Sequence, residues 1–216
     1  MSRYDLIIFD WDGTLMDSTR LIARSLQEAC RDCGVAVPTE REALFVIGLN
    51  LHDTFNLVAP DLDEAGRKLL SERYRHHFLV NEERIPLYEG VPAMLADLHG
   101  RGRRLAVATG KARRGLERAL DLSGLRSWFE ATRCADEGFA KPHPGMLLRL
   151  LEMTGVDPAR AVMVGDTTHD LELAANAGVD AVAVSYGAHD EALLATRPAR
   201  ARCANVAELH AWLGNG

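Results

Sequence analysis

The sequence predicts an α/β fold built on a parallel sheet. Four apolar runs have the length of buried strands, and apolar residues at helical spacing follow each of them. A fifth, weaker run lies between the second and the third. Strands that alternate with helices are typical of a doubly wound fold. The predicted strands are residues 6–9, 105–108, 129–133, 161–164 and 181–184. We therefore expect a doubly wound, parallel, five-stranded (Rossmann-like) core.

One spacing is too long for this alternation. A strand–helix–strand unit takes roughly 30 residues, whereas about 95 residues separate Phe9 from Leu105. The surplus contains no strand pattern, but it contains amphipathic helical patterns, for example around Leu26 and around Leu70. We therefore predict a core domain formed by residues 1–16 and 84–216, with an all-helical cap domain, residues 17–83, inserted after the first strand.

Length and charge exclude some classes of function. With 216 residues, the chain can bury one sizeable core and a modest second unit. Its net charge of -6 disfavours general binding to nucleic acid or to anionic membranes. The apolar stretch at the N-terminus is too short for a signal peptide, and no run approaches the length of a membrane span. We expect a cytoplasmic protein, monomeric or homodimeric, without a nucleic-acid or membrane partner.

Four aspartates lie just after two of the predicted strands. Asp10 and Asp12 follow the first strand, and Asp166 and Asp170 follow the fourth. The carboxyl ends of parallel strands meet at one crevice, so these side chains should converge. Two carboxylates about 4 Å apart repel by ~4 kcal/mol near a protein surface, and protons or a cation must relieve that repulsion. A site with only oxygen ligands favours Mg²⁺.

Three other residues could hold an anion in the same crevice. Thr109 and Gly110 follow the second strand at a turn into a helix, where a hydroxyl and free amides can bind phosphate oxygens. Lys141 lies in a loop stiffened by Pro142 and Pro144, which gives its ammonium a fixed position.

Each of these residues also has a purely structural interpretation. Asp12 precedes a glycine in a common turn dipeptide, and Asp170 and Thr109 could cap helices. A lysine in a loop is usually solvated. The functional interpretation rests on the whole set rather than on any single residue.

The order and context of these segments resemble the haloacid dehalogenase-like superfamily, and within it the phosphoglycolate phosphatase-like branch with a small helical cap. The resemblance covers essentially the whole chain. It is carried by four motifs in order: FDWDGTLMDS, ATGK, KPHP and VGDTTHD. The implied activity is hydrolysis of a small phosphate monoester.

The resemblance also implies residue roles. Asp10 would be the nucleophile that forms an aspartyl phosphate, and Asp12 would protonate the leaving alcohol and then activate water. Thr109 and Lys141 would hold the phosphoryl group. The resemblance also implies Mg²⁺ ligation by Asp10, the backbone carbonyl of Asp12 and Asp166, with Asp170 in support. Apart from the resemblance, we expect Gly110 and Arg113 to join Thr109 and Lys141 in binding the substrate or its phosphate.

Two departures from the family pattern stand out. Glu89-Gly90 replaces a common Pro-Gly, which should change only a local loop. Trp11, which lies between the two aspartates, makes the first motif similar to that of the phosphonoacetaldehyde hydrolases, but those relatives have a small residue at the position of Asp12. The retained Asp12 favours ester hydrolysis.

Other functions share parts of this pattern. A phosphomutase, a pyrophosphatase or a nucleotidase would share the core residues. Haloacid dehalogenation needs no Mg²⁺, and the full acidic fourth motif disfavours it. A phospho-accepting signalling receiver or a silent binding protein is the alternative from another class. The candidate contacts to the rest of the substrate are Arg20, Asn50, His52 and Arg113.

Overall fold

A computed structural model describes residues 3–215 of the chain. Its centre is a six-stranded parallel sheet with the strand order β3-β2-β1-β4-β5-β6. The strands are β1 (Leu6–Phe9), β2 (Arg104–Thr109), β3 (Ala131–Cys134), β4 (Ala161–Gly165), β5 (Asp180–Val184) and β6 (Ala201–Cys203). The predicted doubly wound α/β class is confirmed.

Helices connect and cover these strands. The α-helices are α1 (Thr19–Asp32), α2 (Glu40–Phe45), α3 (Leu51–Val58), α4 (Glu64–Leu79), α5 (Val91–Gly100), α6 (Arg113–Ser123), α7 (Gly145–Thr154), α8 (Thr168–Asn176), α9 (Glu191–Leu194) and α10 (Val206–Asn215). None of the helices in the described range has both the length and the hydropathy needed to cross a membrane.

The predicted count of five strands is wrong by one. The additional strand, β6, pairs with β5 at the edge of the sheet. It is only three residues long, and Arg202 at its centre is exposed. So short a segment has no apolar run from which a strand could be predicted.

Strand β1 lies in the middle of the sheet and is completely buried. It pairs in parallel with β2 on one side and with β4 on the other. Alternate side chains of a strand point to opposite faces. Ile7 and Phe9 pack into one apolar layer, and Leu6 and Ile8 pack into the other. Both faces are therefore covered by helices, and the carboxyl ends of β1, β2 and β4 are adjacent.

Four helices, α1 to α4, lie between β1 and α5, and no strand is found among residues 17–83, all of which are described. These helices have a hydrophobic cluster of their own, which includes Leu26, Phe55 and Leu70. The division into a separate cap with bounds at 17 and 83 stays a prediction.

The two connections between the helical segment and the core run side by side. Met16 forms an isolated antiparallel bridge with Leu87. In addition, the amide of Asp17 donates to the carbonyl of Pro86 at 3.0 Å. The chain thus enters and leaves the helical segment at one place, next to the carboxyl end of β1.

Candidate active site

Three of the four predicted aspartates form a compact cluster at the carboxyl edge of the sheet. Asp10, Asp166 and Asp170 are fully buried. Each offers a carboxylate oxygen, and these oxygens lie within 4.8 Å of one another. The backbone amide of Asp10 donates to the carbonyl of Val164 at 2.9 Å, which fixes the first loop against β4. The sheet therefore brings together side chains that are 160 residues apart in the sequence.

Lys141 supplies the positive charge of this cluster. Its Nζ lies 2.8 Å from Oδ1 of Asp10 and 2.6 Å from Oδ1 of Asp170, and the side chain is fully buried. Burial opposes a charged lysine, but the carboxylates of Asp10 and Asp170 outweigh it and raise the Lys141 pKa. Lys141 is therefore an ammonium, and the interpretation of a solvated loop lysine is wrong.

The carboxylate of Asp10 is only half partnered. Both of its oxygens are buried; Oδ1 forms an ion pair with the Lys141 ammonium at 2.8 Å, and Oδ2 has no partner in the described part of the chain. Burial raises the pKa of Asp10 to about 7, against the lowering effect of the Lys141 ammonium. Leaving a buried hydrogen-bond acceptor without a partner costs about 1–3 kcal/mol or more of stability. A ligand or a cation that binds to Asp10 would remove this cost.

Asp166 is held firmly on both oxygens. The hydroxyl of Thr14 donates to Oδ1 at 2.9 Å, and the amide of Ala188 donates to Oδ2 at 2.7 Å. Burial and the charges of Asp10 and Asp170 raise the Asp166 pKa well above its ordinary value, and these two hydrogen bonds only partly oppose the rise. Its orientation is fixed by Thr14 and by the loop after β5.

Asp170 confirms its predicted interpretation as a helix-capping residue, and its support of a metal ion stays a prediction. Its Oδ2 accepts from the hydroxyl of Thr167 at 2.7 Å in a capping box at the start of α8. Its Oδ1 accepts from Lys141. Asp170 thus caps the helix and also orients the lysine that faces Asp10.

A divalent cation fits this cluster. Three carboxylates face one ammonium, so the site carries excess negative charge, and Oδ2 of Asp10 has no partner among residues 3–215. Oxygen-only donors of this kind suit Mg²⁺. Both oxygens of Asp166 and Oδ1 of Asp170 each accept one hydrogen bond, and a carboxylate oxygen keeps a second lone pair, so all three aspartates can still take a cation. The side chain of Asp12 lies outside the cluster, and the predicted use of its backbone carbonyl stays a prediction.

Asp12 lies beside the cluster in a separate polar setting. Its Oδ1 accepts from the hydroxyl of Ser18 at 2.7 Å and from Nζ of Lys111 at 2.9 Å. Lys111 also lies over the ring of Phe78 in α4, 4.7 Å from its centroid. Asp12 is therefore positioned by the core loop after β2 and by the first turn into the helical segment.

The loop after β2 forms the opposite wall of the crevice. Thr109 is buried at the end of β2, and its hydroxyl accepts from the amide of Lys111 at 3.1 Å. At Gly110 a side chain would overlap with the backbone carbonyl of Gly48, which comes from the helical segment. Only glycine permits so close an approach of the two backbones.

A cavity of about 700 Å³ lies between the core loops and the helical segment. Asp10, Asp12, Thr109 and Lys111 line its core side, and apolar side chains of the helical segment line much of the other side. Volumes of this order are typical of small-molecule sites. The cavity therefore extends the polar crevice into a larger pocket whose far wall belongs to α1, α4 and residues 46–52.

The predicted phosphate contact at Arg113 needs correction. Its guanidinium bonds to Glu117, Glu137 and Thr132, and Arg113 is not among the residues that line the cavity. Its neighbour Arg114 lines the cavity instead, is exposed, and has no ion pair or hydrogen bond recorded within residues 3–215. One residue along a helix turns the side chain by about 100°, so the basic pattern alone could not decide between the two.

The other three candidate contacts to the substrate differ in whether they line the cavity. Asn50 and His52 line the cavity, whereas Arg20 is exposed and does not. Asn50 also caps α3, because its side-chain oxygen accepts from the amide of Asp53 at 2.7 Å. His52 is thus the freer of the two to face a ligand.

Three supporting residues were missed in the sequence. Thr14 and Ser18 lie inside the first motif and Lys111 inside the second, and each bonds to one of the aspartates. Their position within the motifs was the available signal. It gave no indication of which carboxylate each would contact.

Comparison with known proteins decides the family. The sequence profile described as "Haloacid dehalogenase-like hydrolase" matches residues 7–184. The chain belongs to this family. The match spans β1 to β5, and with them the predicted site residues.

Named relatives cover most of the chain. It is 36% identical over 192 residues to "Probable phosphatase IndB" of Dickeya dadantii, covering 85% of this chain and 82% of that one. It is 33% identical over 190 residues to "Pyrophosphatase PpaX" of Bacillus cereus, covering 85% and 84%. Its fold is similar to a crystal structure of "a predicted phosphoglycolate phosphatase" from Haemophilus somnus, with a TM-score of 0.84, 24% identity and 97% of each chain covered.

Proposed function

We propose that this chain is a Mg²⁺-dependent phosphatase that hydrolyses a small phosphate monoester through an aspartyl phosphate on Asp10. The observation that carries the proposal is the carboxylate of Asp10. It is buried, lines the cavity, has the Lys141 ammonium as the ion-pair partner of Oδ1, and has no partner for Oδ2 in the described part of the chain. A buried carboxylate with a purely structural role would have partners for both oxygens.

In the first step, an oxygen of Asp10 attacks phosphorus and the bond from phosphorus to the ester oxygen breaks. The ammonium of Lys141 and the hydroxyl of Thr109 bind the oxygens of the transferring group and balance its charge. Asp12 donates a proton to the leaving oxygen, so the product is a neutral alcohol.

In the second step, water attacks the phosphorus of the aspartyl phosphate. Asp12, now a carboxylate, takes a proton from that water, and the Asp10 carboxylate leaves as inorganic phosphate forms. The products are one alcohol and one phosphate for each water consumed. Asp12 thus serves as acid and then as base.

Asp10, Asp166 and Asp170 would hold the Mg²⁺ ion. When bound, the ion supplies positive charge that offsets the repulsion between these carboxylates and an anionic substrate. It also favours the ionised form of Asp10, whose pKa burial otherwise raises to about 7.

Lys111 links substrate binding to proton donation by Asp12. Its ammonium is paired with Asp12 at 2.9 Å. For Asp12 to carry and donate a proton, this ion pair must loosen. An incoming phosphate offers Lys111 a second anionic partner, so a bound ester can release Asp12 for proton transfer.

Fold similarity and the cavity lining support a first choice of candidate substrates. Phosphoglycolate-like esters are the first candidates, because the fold is similar to that of a predicted phosphoglycolate phosphatase. Arg114 at the cavity wall could bind a carboxylate on such an ester. A cavity of about 700 Å³ also has room for larger esters, including sugar phosphates and nucleotides, so a phosphomutase stays an alternative.

Pyrophosphate is the second candidate substrate. The observation in its favour is the 33% identity with a protein named Pyrophosphatase PpaX. Its leaving group is a phosphate, for which Lys111 and Arg114 both supply charge.

The test is a panel of phosphate esters and pyrophosphate, assayed with Mg²⁺ and again with excess EDTA. We expect Mg²⁺-dependent release of phosphate from at least one member. Asp157→Asn, a surface change far from the cavity, is the matched control for Asp10→Asn, and it should keep full activity. If the folded protein hydrolyses no member, or hydrolyses one equally well in EDTA, the proposal is wrong.

A further inference from the structure

Two histidines of the core hold one backbone carbonyl of the helical segment. Phe45 is the last residue of α2, so its carbonyl lacks a donor within the helix. Nε2 of His169 lies 2.9 Å from this oxygen, and Nε2 of His189 lies 3.0 Å from it. A carbonyl has two lone pairs, and these two rings satisfy both.

The hydrogen bonds determine how His189 is protonated. The amide of Thr168 donates to Nδ1 of His189 at 3.0 Å, so Nδ1 has to be an acceptor. In a neutral ring the proton is then on Nε2, which donates to Phe45. The side chain of Phe45 also packs against both histidines. Its ring stacks on His189 with centroids 5.3 Å apart, and it makes an edge contact with His169 at 5.4 Å.

The contact continues along the next residues. A Cβ on Gly48 would lie 3.2 Å from Oγ1 of Thr167, so this backbone packs directly against the fourth motif. On its other side the carbonyl of Gly48 blocks any side chain at Gly110. The segment 46–50 is therefore wedged between the loop that carries Thr109 and the loop that carries Asp166.

We propose that His169 and His189 are positioning residues that hold segment 46–50 in place as a wall of the substrate cavity. All five residues of this segment line the cavity together with Asp10 and Thr109. Both histidines are buried and neither lines the cavity. His189 also contacts the fourth motif, because its amide donates to the carbonyl of Asp166 at 3.3 Å and its Nδ1 accepts from the amide of Thr168. The two histidines act through Phe45, by setting how closely the wall approaches the reacting groups.

The direct test is hydrogen exchange of the amides of residues 46–50 in His169→Ala, His189→Ala and the double variant. We expect exchange in this segment to become about tenfold faster in each single variant, with the sheet unchanged. His189→Gln keeps one donor and one acceptor and should restore most of the protection. His99→Ala is the matched control, because His99 also meets an aromatic ring edge-on at 5.4 Å, on Trp128, away from the cavity.

The kinetic readout rests on the proposed phosphatase activity, whereas exchange does not. With an ester that the protein hydrolyses, KM should rise several-fold in the alanine variants while kcat changes less. Unchanged exchange of residues 46–50 in the folded double variant would overturn the positioning role, and so would faster exchange spread evenly over the whole chain. Failure of the phosphatase proposal alone would leave the exchange result standing.

Discussion

Nζ of Lys141 lies 2.8 Å from Oδ1 of Asp10, and both side chains are fully buried; Asp10 lines the cavity and Lys141 lies behind it. The pair is not isolated, because the same ammonium binds Asp170. Lys141 therefore balances two carboxylates before any substrate arrives. The same positive charge is available to a phosphoryl group that approaches Asp10.

Replacing Lys141 by methionine should remove both stability and activity. The variant leaves three buried carboxylates without a cation, and breaking a buried ion pair of this kind costs about 3–5 kcal/mol. We expect the urea-unfolding free energy in EDTA to fall by about 3 kcal/mol or more. Lys68→Met is the control, since Lys68 is exposed on α4 and should change stability by less than about 0.5 kcal/mol. Equal effects of the two changes would contradict the account of Lys141.

Asp10→Asn should abolish turnover without unfolding the protein. The amide has nearly the shape of the carboxylate but is a very poor nucleophile, so kcat should fall by at least ~10³-fold. The fold should persist, because removing one negative charge reduces repulsion with Asp166 and Asp170. Circular dichroism checks that the fold is retained, and steady-state kinetics measures the loss of turnover. A variant with a tenth of the normal kcat would exclude Asp10 as nucleophile.

The metal-free protein should become less stable as the pH rises. Burial raises the folded-state pKa of Asp10 to about 7, above its ordinary value of 3.8, so the folded state binds more protons than the unfolded state between these values. This contribution is fully present below pH 3.8 and is lost as the pH rises through about 7, at up to about 1.4 kcal/mol per pH unit. Asp166 has the same direction of shift.

Thermal unfolding in EDTA at pH 5, 6, 7 and 8 measures this loss. Excess Mg²⁺ should flatten the pH profile because the ion stabilises the ionised carboxylates, and Asp10→Asn should flatten part of it without Mg²⁺. Burial lowers the pKa of His189, which adds stability as the pH rises over the same range, so the comparison of variants is decisive. Identical Tm profiles of the unmodified protein and Asp10→Asn in EDTA would contradict the raised pKa of Asp10.

Arg113 and Arg114 should respond in opposite ways to the same substitution. Arg113→Gln breaks the bonds to Glu137 and Thr132, so it should lower the unfolding free energy by about 1 kcal/mol and change KM by less than about twofold. Arg114→Gln should leave stability unchanged and raise KM for an anionic ester by roughly fivefold, which is about 1 kcal/mol. If Arg113→Gln gives the larger rise in KM, then Arg113 rather than Arg114 contacts the substrate.

Much of the candidate site could be predicted because strand ends are easy to locate in this sequence. Asp10, Thr109 and Asp166 each adjoin an apolar run, and a parallel sheet brings such ends together whatever their separation along the chain. The supporting bonds could not be predicted in this way. Whether Thr14 or Ser18 reaches a given aspartate depends on side-chain directions within one turn, and Lys111 reaches Asp12 across two loops.

The features that were missed or misassigned also depend on three-dimensional contacts that no sequence pattern marks. Strand β6 is three residues long and depends on the edge of β5 rather than on its own hydrophobicity. Arg113 and Arg114 differ only by one step around a helix. The contact of Phe45 with His169 and His189 joins residues more than 120 apart through a main-chain oxygen, and no sequence pattern marks an acceptor of that type.

The most direct test of the central claim is chemical trapping of the aspartyl phosphate. The protein is mixed with Mg²⁺ and an ester that it hydrolyses, quenched in acid during turnover, reduced with borohydride and digested for peptide mass spectrometry. An acyl phosphate on Asp10 is reduced to the alcohol, so we expect homoserine at position 10, and only when ester and Mg²⁺ were both present. Continued turnover with an unmodified Asp10 peptide, or trapping at a different carboxylate, would contradict it.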